Sequence, residues 1–112
     1  MLNQIVLVGR VKGFLREDIG KNRMVMTIDI PRNKETKSGT VEADLIDIYI
    51  PSTLMENAKT YINPEDLVGV KGRVETQQIE FNNAIYNAHE LIAEKLTFLK
   101  SGNGKAVEWN QI

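Results

Sequence analysis

The chain has 112 residues, of which 42% are hydrophobic and 26% charged, a length and composition typical of one globular domain. It contains no cysteine, so disulfides, thiolate metal sites and cysteine nucleophiles are excluded. No apolar run approaches the roughly 18–20 residues that a membrane-spanning helix needs. The first residues also lack the basic stretch and apolar core of a signal peptide.

The net charge of −1 conceals an uneven distribution of charged residues. Residues 10–37 hold eight basic and four acidic residues, a local charge of +4, whereas residues 38–112 hold six basic and eleven acidic residues, a local charge of −5. A polyanion responds to the local field and not to the sum of the charges. The distribution is therefore compatible with a polyanionic partner and also with an uneven solvated surface.

Three β-strands are predicted in the first half of the chain. Residues 5–8 form a short apolar run that predicts the first strand, and residues 45–50 are predicted to form the third. Between them, residues 24–30 alternate in polarity with a period of two, which predicts a strand with one buried face. Pro31 has no amide proton and is expected to end the pairing of this strand. The polar residues 33–40 are predicted to form an exposed hairpin loop.

One helix is predicted after the third strand. Thr53 and Glu56 have the spacing of a capping box. Asn63 and Pro64 end the helix, because proline disfavours helical geometry in the residue before it. Residues 67–74 form a fourth strand, in which two glycines indicate a bulge or a tight bend.

The order of elements predicts the fold class. Residues 77–83 are predicted to be a polar loop, residues 85–99 contain a fifth strand, and residues 101–112 are rich in glycine and polar residues. Three strands, a helix and two strands is the order of the all-β OB-fold, a five-stranded Greek-key barrel with one short helix between strands 3 and 4. We therefore predict an OB-fold domain over residues 1–100 and a short flexible C-terminal tail over residues 101–112.

Three segments resemble bacterial single-stranded DNA-binding proteins. The decapeptide MLNQIVLVGR at residues 1–10 looks like the opening strand of that family, and residues 56–62 resemble its helix. Residues 68–74, VGVKGRV, match the strand pattern V-x-G-R/Q of the family. The resemblance implies an OB-fold, a homotetramer or homodimer, and sequence-tolerant binding of single-stranded DNA in replication, recombination or repair. It also implies a cytoplasmic, nucleoid-associated protein without catalytic activity.

The chain departs from this family where the resemblance implies aromatic residues that stack on bases. The residues at those places are Pro31 with Arg32, Leu45, Pro51 and Ile79. The printed sequence closes with WNQI at residues 109–112, without the family's acidic tail ending in Pro-Phe. Recruitment of partner proteins through such a tail is therefore not expected.

A groove for single-stranded nucleic acid needs cations along the backbone path and flat side chains for the bases. The candidate cations are Arg10, Lys12, Arg32, Lys34, Lys37, Lys71 and Arg73. Arg10 and Arg73 stand at matched positions of the family. Phe81 and Tyr86 flank the long hairpin that the family resemblance implies at residues 77–83, and they are the best substitutes for the missing aromatics. Packing of both rings on the barrel or in a subunit interface remains an alternative, as does ordinary solvation for part of the cations.

No group of residues predicts catalysis, a cofactor or a metal site. His89 is the lone histidine and is interpreted as a strand residue, since no ligand partner is evident. The carboxylates are scattered, and the glycines form neither a phosphate-binding loop nor a dinucleotide fingerprint. Ser52 is explained by its place at the start of the helix. The sequence therefore predicts a binding protein and not an enzyme.

Two functions remain open from the sequence. The first is sequence-nonspecific binding of single-stranded DNA, with phosphates held by cations and bases laid on aromatic and arginine faces. The second is an OB-fold protein-interaction module of a primosome-like assembly with weak DNA binding, whose partners are replication or recombination proteins. The missing stacking residues and the acidic C-terminal part favour the second. The strength of DNA binding and its salt dependence separate the two.

Overall fold

The structure is a computed structural model that describes residues 1–18, 20–35, 37–102 and 106–111, with the backbone alone for residues 14–15, 33–35 and 106–111. These residues form six strands and one helix. The elements are β1 Ile5–Asp18, β2 Arg23–Glu35, β3 Val41–Pro51, α1 Ser52–Tyr61, β4 Leu67–Phe81, β5 Ala84–Lys100 and β6 Ala106–Gln111. Within them, no helix has the length and apolar character needed to cross a membrane.

The first five strands close into a barrel. They follow the sheet order β3-β2-β1-β4-β5 with antiparallel neighbours. A short parallel pairing then joins β3 to β5, with Ile48 opposite Leu91 and Tyr49 opposite Ile92. Because α1 lies between β3 and β4 in the chain, this architecture confirms the predicted OB-fold.

Alternating side chains fill the barrel. On β2, Met24, Met26 and Ile28 are buried, as the period-two pattern predicts. Ile50 and Ile48 on β3 are paired with Met24 and Met26 and are also buried. Burial of each large apolar side chain contributes roughly 1.5–3 kcal/mol to folding. The buried side chains therefore hold the strands of the barrel in register.

Helix α1 begins without the predicted capping box, so that prediction is wrong. Pro51 is the N-cap, and no side chain makes a cap hydrogen bond. Strand β3 runs directly into α1, so Thr53 lies inside the first turn, beyond the N-cap position. At the other end, the Ile62 amide donates to the Ala58 carbonyl, and Pro64 follows as predicted.

Strand β2 continues beyond Pro31, contrary to the prediction. Pro31 is paired with Ala43 on β3, and the pairing reaches Glu35, so the loop is shorter than the predicted residues 33–40. The pairing of β2 with β1 extends only to Asp29. Beyond Asp29, β2 pairs with β3 but not with β1, so it is an edge strand there. An edge strand tolerates proline, which has no amide proton to donate.

A continuous hairpin of β4 and β5 replaces the polar loop that was predicted at residues 77–83. The pairing of the two strands extends to Phe81 and Ala84. Asn82 and Asn83 form the two-residue turn, with φ values of 49° and 62°. Positive φ at both turn residues is the geometry of a type I′ turn, which matches the twist of the flanking strands.

Part of the predicted tail forms a sixth strand. Strand β6 lies antiparallel to β5, with Thr97 opposite Gln111 and Phe98 opposite Asn110. The segment is short and follows the polar, glycine-containing residues 101–104, so its composition predicts a tail, whereas it pairs with the edge of β5. The division between a domain and a flexible tail after residue 100 stays a prediction.

Candidate nucleic-acid interface

The distal part of the β4–β5 hairpin extends beyond the pairing of the barrel. Strand β4 is paired with β1 as far as Gly72, and β5 is paired with β3 at Leu91 and Ile92. Between these points, residues 75–90 are paired with each other and with no other described strand. We call residues 75–90 the arm. An isolated two-stranded hairpin is marginally stable, so the arm depends on contacts at its base.

One face of the arm carries exposed apolar side chains. Ile79 is paired with Tyr86 and Phe81 with Ala84, and residues paired across two strands project on the same side. Ile79, Phe81 and Tyr86 are 48%, 64% and 55% exposed. We call these three side chains the apolar arm face. Phe81 and Tyr86 therefore face solvent in this chain and do not pack on the barrel.

The β2–β3 hairpin carries a second exposed apolar surface. Val41, Ala43 and Leu45 alternate along β3 and share one face, and Pro31 on β2 is paired with Ala43. All four residues are exposed, and Leu45 is 68% exposed. We call these four residues the β3 patch. The side chains of the β3 patch are aliphatic, so a base can make van der Waals contact with them but cannot stack on an aromatic ring there.

Two predicted cations meet at Glu65, between α1 and β4. Lys12 Nζ lies 3.0 Å from Glu65 Oε1 and 3.9 Å from Asp29 Oδ2. Arg10 Nη1 donates to the main-chain carbonyl of Glu65 at 3.1 Å. Glu65 thus neutralises Lys12, whereas Arg10 has no carboxylate partner in the described part of the chain.

Two predicted arginines are held by carboxylates. Arg32 lies 2.7 Å from Asp44 and 2.8 Å from Glu42. Hydrogen bonds from Arg32 lower the pKa of the Asp44 carboxyl, and those to Asp44 raise the pKa of Arg32. Arg73 donates to Glu75 at 2.8 Å. The side chains are exposed, so these ion pairs contribute little to folding and can open when another anion competes.

The other predicted cations are Lys34, Lys37 and Lys71. Lys71 is exposed on β4, opposite Val6 on β1 and opposite Lys95 on β5. Like charges directly opposite each other repel, so an anion between Lys71 and Lys95 relieves the repulsion. Lys37 is exposed in the connection between β2 and β3. The side chain of Lys34 lies outside the described residues.

A cluster around Arg23 was not predicted from the sequence. Arg23 donates to Asp18 at 2.7 Å and to Glu90 at 2.7 and 3.2 Å, and its guanidinium carbon lies 4.0 Å from the centre of the Tyr49 ring. The side chains of Arg23 and Glu90 are 15% and 12% exposed. Hydrogen bonds from Arg23 lower the pKa of Glu90, and those to Glu90 raise the pKa of Arg23. We call these four residues the Arg23 cluster.

The described residues show no group of three or more histidine or carboxylate side chains that could hold a metal ion. His89 is exposed on the arm, opposite Thr76. The described surface carries exposed apolar side chains and cations. Such a surface suits a single-stranded nucleic acid, whose phosphates contact the cations and whose bases contact the apolar side chains.

Comparison with known proteins decides the family. The single-strand binding protein family matches residues 2–99. The chain belongs to this family. It is 34% identical over 110 residues to single-stranded DNA-binding protein 3 of Streptococcus agalactiae, covering 94% of this chain and 79% of the relative. It is 32% identical over 108 residues to single-stranded DNA-binding protein 1 of Staphylococcus aureus, covering 92% and 69%. The resemblance seen in the sequence is confirmed.

Two solved structures share the fold of this single-strand binding protein. A Plasmodium falciparum SSB in complex with ssDNA aligns with a TM-score of 0.68 and 19% identity, over 89% of this chain and 96% of that chain. The small single-stranded DNA-binding protein of Streptomyces coelicolor aligns with a TM-score of 0.61 and 14% identity, over 88% and 95%.

In this family member, Pro31 with Arg32, Leu45, Pro51 and Ile79 occupy the places where the resemblance implies aromatic residues. Pro31 and Leu45 belong to the β3 patch, and Ile79 belongs to the apolar arm face. Pro51 is the N-cap of α1 and is half-buried. Pro31, Leu45 and Ile79 therefore stay on exposed apolar surfaces. Phe81 adds a ring to the arm beside Ile79.

Proposed function

We propose that this protein binds single-stranded DNA without sequence preference and coats exposed strands in replication, recombination or repair. Its family and the names of its relatives support this function. Within the structure, the apolar arm face carries the proposal, because it leaves Phe81 and Tyr86 exposed where bases can stack. We propose a binding role without catalysis, in the cytoplasm and associated with the nucleoid.

Bases contact two surfaces in this proposal. Stacking on an aromatic side chain contributes about 1–3 kcal/mol per base, and the arm offers Phe81 and Tyr86. The β3 patch offers Leu45 and Pro31, which exclude water from one face of a base without a ring–ring contact. The arm therefore supplies most of the affinity for bases.

Phosphates contact two groups of cations. One group has no carboxylate partner in the part of the chain that the structure describes: Arg10, Lys37 and Lys71. The other group must first exchange a carboxylate for a phosphate: Lys12, Arg32 and Arg73. Arginine suits this exchange, because its planar guanidinium also stacks on bases. Lys34 is kept as a candidate from the sequence.

We also propose that copies of the chain associate into a homodimer or homotetramer. The pairing of β1 with β2 begins at Arg10, so residues 5–8 pair with β4 alone among the described strands. Val6 and Val8 lie there on one face of β1 and are 68% and 48% exposed. A second copy on this face buries apolar surface and covers an open strand edge. Several copies on one DNA strand then raise the effective affinity.

Fluorescence anisotropy of a labelled oligothymidine, titrated at several salt concentrations, tests the proposed function. For single strands, log K falls against log salt with a slope of about −0.7 per phosphate neutralised. We expect tight binding at low salt and a slope equivalent to several phosphates. Absence of binding at low salt would refute the proposed function and leave the fold standing.

A second candidate function is an OB-fold protein-interaction module of a primosome-like assembly. The ion pairs of Lys12, Arg32 and Arg73 favour it, because they reduce the positive charge that is available to phosphates. Its partners are replication or recombination proteins, and its DNA binding is weak. A weak interaction with a slope close to zero in the same titration supports this candidate over strand coating.

A further inference from the structure

The arm meets the barrel at a small number of polar contacts. In the described part of the chain, two side-chain pairs join the region around the β1–β2 turn to the arm: Arg23 with Glu90, and Lys21 with Gln77. The Lys21 ammonium lies 3.3 Å from Gln77 Oε1, and both side chains are exposed. The contact of Arg23 with Glu90 is bidentate and largely buried. It is therefore the stronger of the two restraints.

Arg23 is itself fixed from three directions. Its Nε donates to Asp18 on β1, its terminal nitrogens donate to Glu90 on β5, and its plane covers Tyr49 on β3. A bidentate arginine–carboxylate contact fixes the relative direction of the two groups as well as their distance. The carboxylate of Glu90 is thus held in one place relative to three strands of the barrel.

Glu90 occupies the first rung of the arm, directly opposite Glu75. The two like charges repel unless each has a cation. Glu75 is paired with Arg73, which lies on the same strand, whereas Glu90 is paired with Arg23 on β2. Of these two contacts, only that of Glu90 connects the arm to another part of the barrel. The rung therefore offers two carboxylates of the same type with different mechanical roles.

We propose that Arg23 is a positioning residue, which acts through Glu90 to set the orientation of the arm and so to present the apolar arm face to a bound strand. The positioning itself is a property of the free protein. Its consequence for DNA binding rests on the proposed function. Two measurements therefore separate the two claims.

Amide hydrogen exchange in the free, full chain tests the positioning role without DNA. Glu90→Gln is compared with Glu75→Gln, which removes the same charge from the same rung. We expect the amides of residues 76–89 to exchange about tenfold faster in the Glu90 variant, with unchanged exchange at the buried Met26 and Ile48. The Glu75 variant is expected to exchange like the wild type. The proposal is overturned if the amides of residues 76–89 exchange at the same rate in the two variants. It is also overturned if exchange at Met26 and Ile48 in the Glu90 variant is accelerated as much as exchange in the arm.

Binding of labelled oligothymidine then tests the consequence for DNA. Glu90→Gln is expected to weaken binding severalfold in a chain that retains Phe81 and Tyr86. It is expected to have no further effect in a chain that carries Phe81→Ala and Tyr86→Ala, because that arm has no rings to position. The same loss in both backgrounds overturns the proposed link between Arg23 and the rings. If the wild type binds no DNA, the proposed function fails, and the exchange measurement still decides whether Arg23 positions the arm.

Discussion

At the level of single residues, a phosphate must compete with a carboxylate wherever a proposed DNA-binding cation is already ion-paired, as at Lys12, Arg32 and Arg73. Arg32 illustrates this, because Asp44 and Glu42 already satisfy its guanidinium. Exposed ion pairs of this kind contribute little to stability, so a phosphate can displace a carboxylate. The displaced carboxylate nevertheless remains close to the phosphate and repels it. An ion-paired basic residue is therefore expected to be a weaker ligand for DNA than its charge alone predicts.

Asp44→Asn is expected to raise the affinity for oligothymidine by about two- to fivefold at low salt, because it releases Arg32 from one of its two carboxylates. Anisotropy titration measures the change. Glu56→Gln is the matched control, since it changes the net charge equally at an exposed position of α1 and is expected to leave the affinity close to that of the wild type. An equal gain in both variants would show that net charge, and not the release of Arg32, is responsible.

At the level of secondary structure, apolar periodicity predicted the segments that line the core and missed those that do not. The alternation of Met24, Met26 and Ile28 identified β2, because one face of that strand is buried. Residues 75–90 form an equally regular hairpin but are largely exposed on both faces. The polar composition of residues 77–83 therefore suggested a loop.

The candidate site was predictable only in part. Phe81 and Tyr86 were expected at the long hairpin, and the structure places both there in solvent. Their common face with Ile79 depends on the register of β4 and β5, which local sequence does not specify. The Arg23 cluster joins residues from four strands, and Tyr49 and Glu90 are distant in the chain from Arg23 and Asp18. Only the closed barrel brings them together.

Two glycines of β4 differ in their surroundings and provide a test of the strand geometry. A β-carbon at Gly72 would overlap the carbonyl oxygen of Ile92, next to the register shift between β4 and β5. At Gly69 the nearest atom, in Thr97, is 3.7 Å away. Gly72→Ala is expected to lower the free energy of unfolding by about 3 kcal/mol. Gly69→Ala is expected to change it by less than about 1 kcal/mol.

Urea unfolding followed by circular dichroism measures both changes. The Gly69 variant controls for the loss of backbone freedom that any Gly→Ala substitution causes. Similar urea midpoints for the two variants would contradict the close approach of β4 and β5 at Gly72.

For the molecule as a whole, three of the exposed apolar surfaces in the described part bear on binding. They are the apolar arm face, the β3 patch, and the face of β1 with Val6 and Val8. Large exposed apolar surfaces on a protein are commonly binding sites. We assign the first two to bases and the third to a second copy of the chain. Each further copy then adds another arm to the assembly.

Val6→Lys is expected to shift the protein to smaller assemblies, because it places a charge on the face proposed for association. Light scattering after size-exclusion chromatography measures the mass in solution. Val41→Lys is the control, since Val41 is 55% exposed in the β3 patch and is expected to leave the mass unchanged. A wild type that is monomeric at all concentrations would exclude this interface.

Binding of labelled oligothymidine to a chain that carries Phe81→Ala and Tyr86→Ala tests the function most directly. Removal of two stacking rings, each contributing about 1–3 kcal/mol, is expected to weaken binding by at least about tenfold. Tyr61→Ala is the matched control, because Tyr61 on α1 and Tyr86 on the arm are both 55% exposed. We predict a large loss for the arm variant and an affinity close to that of the wild type for Tyr61→Ala. Equal affinities of all three proteins would contradict the binding of DNA bases on the arm.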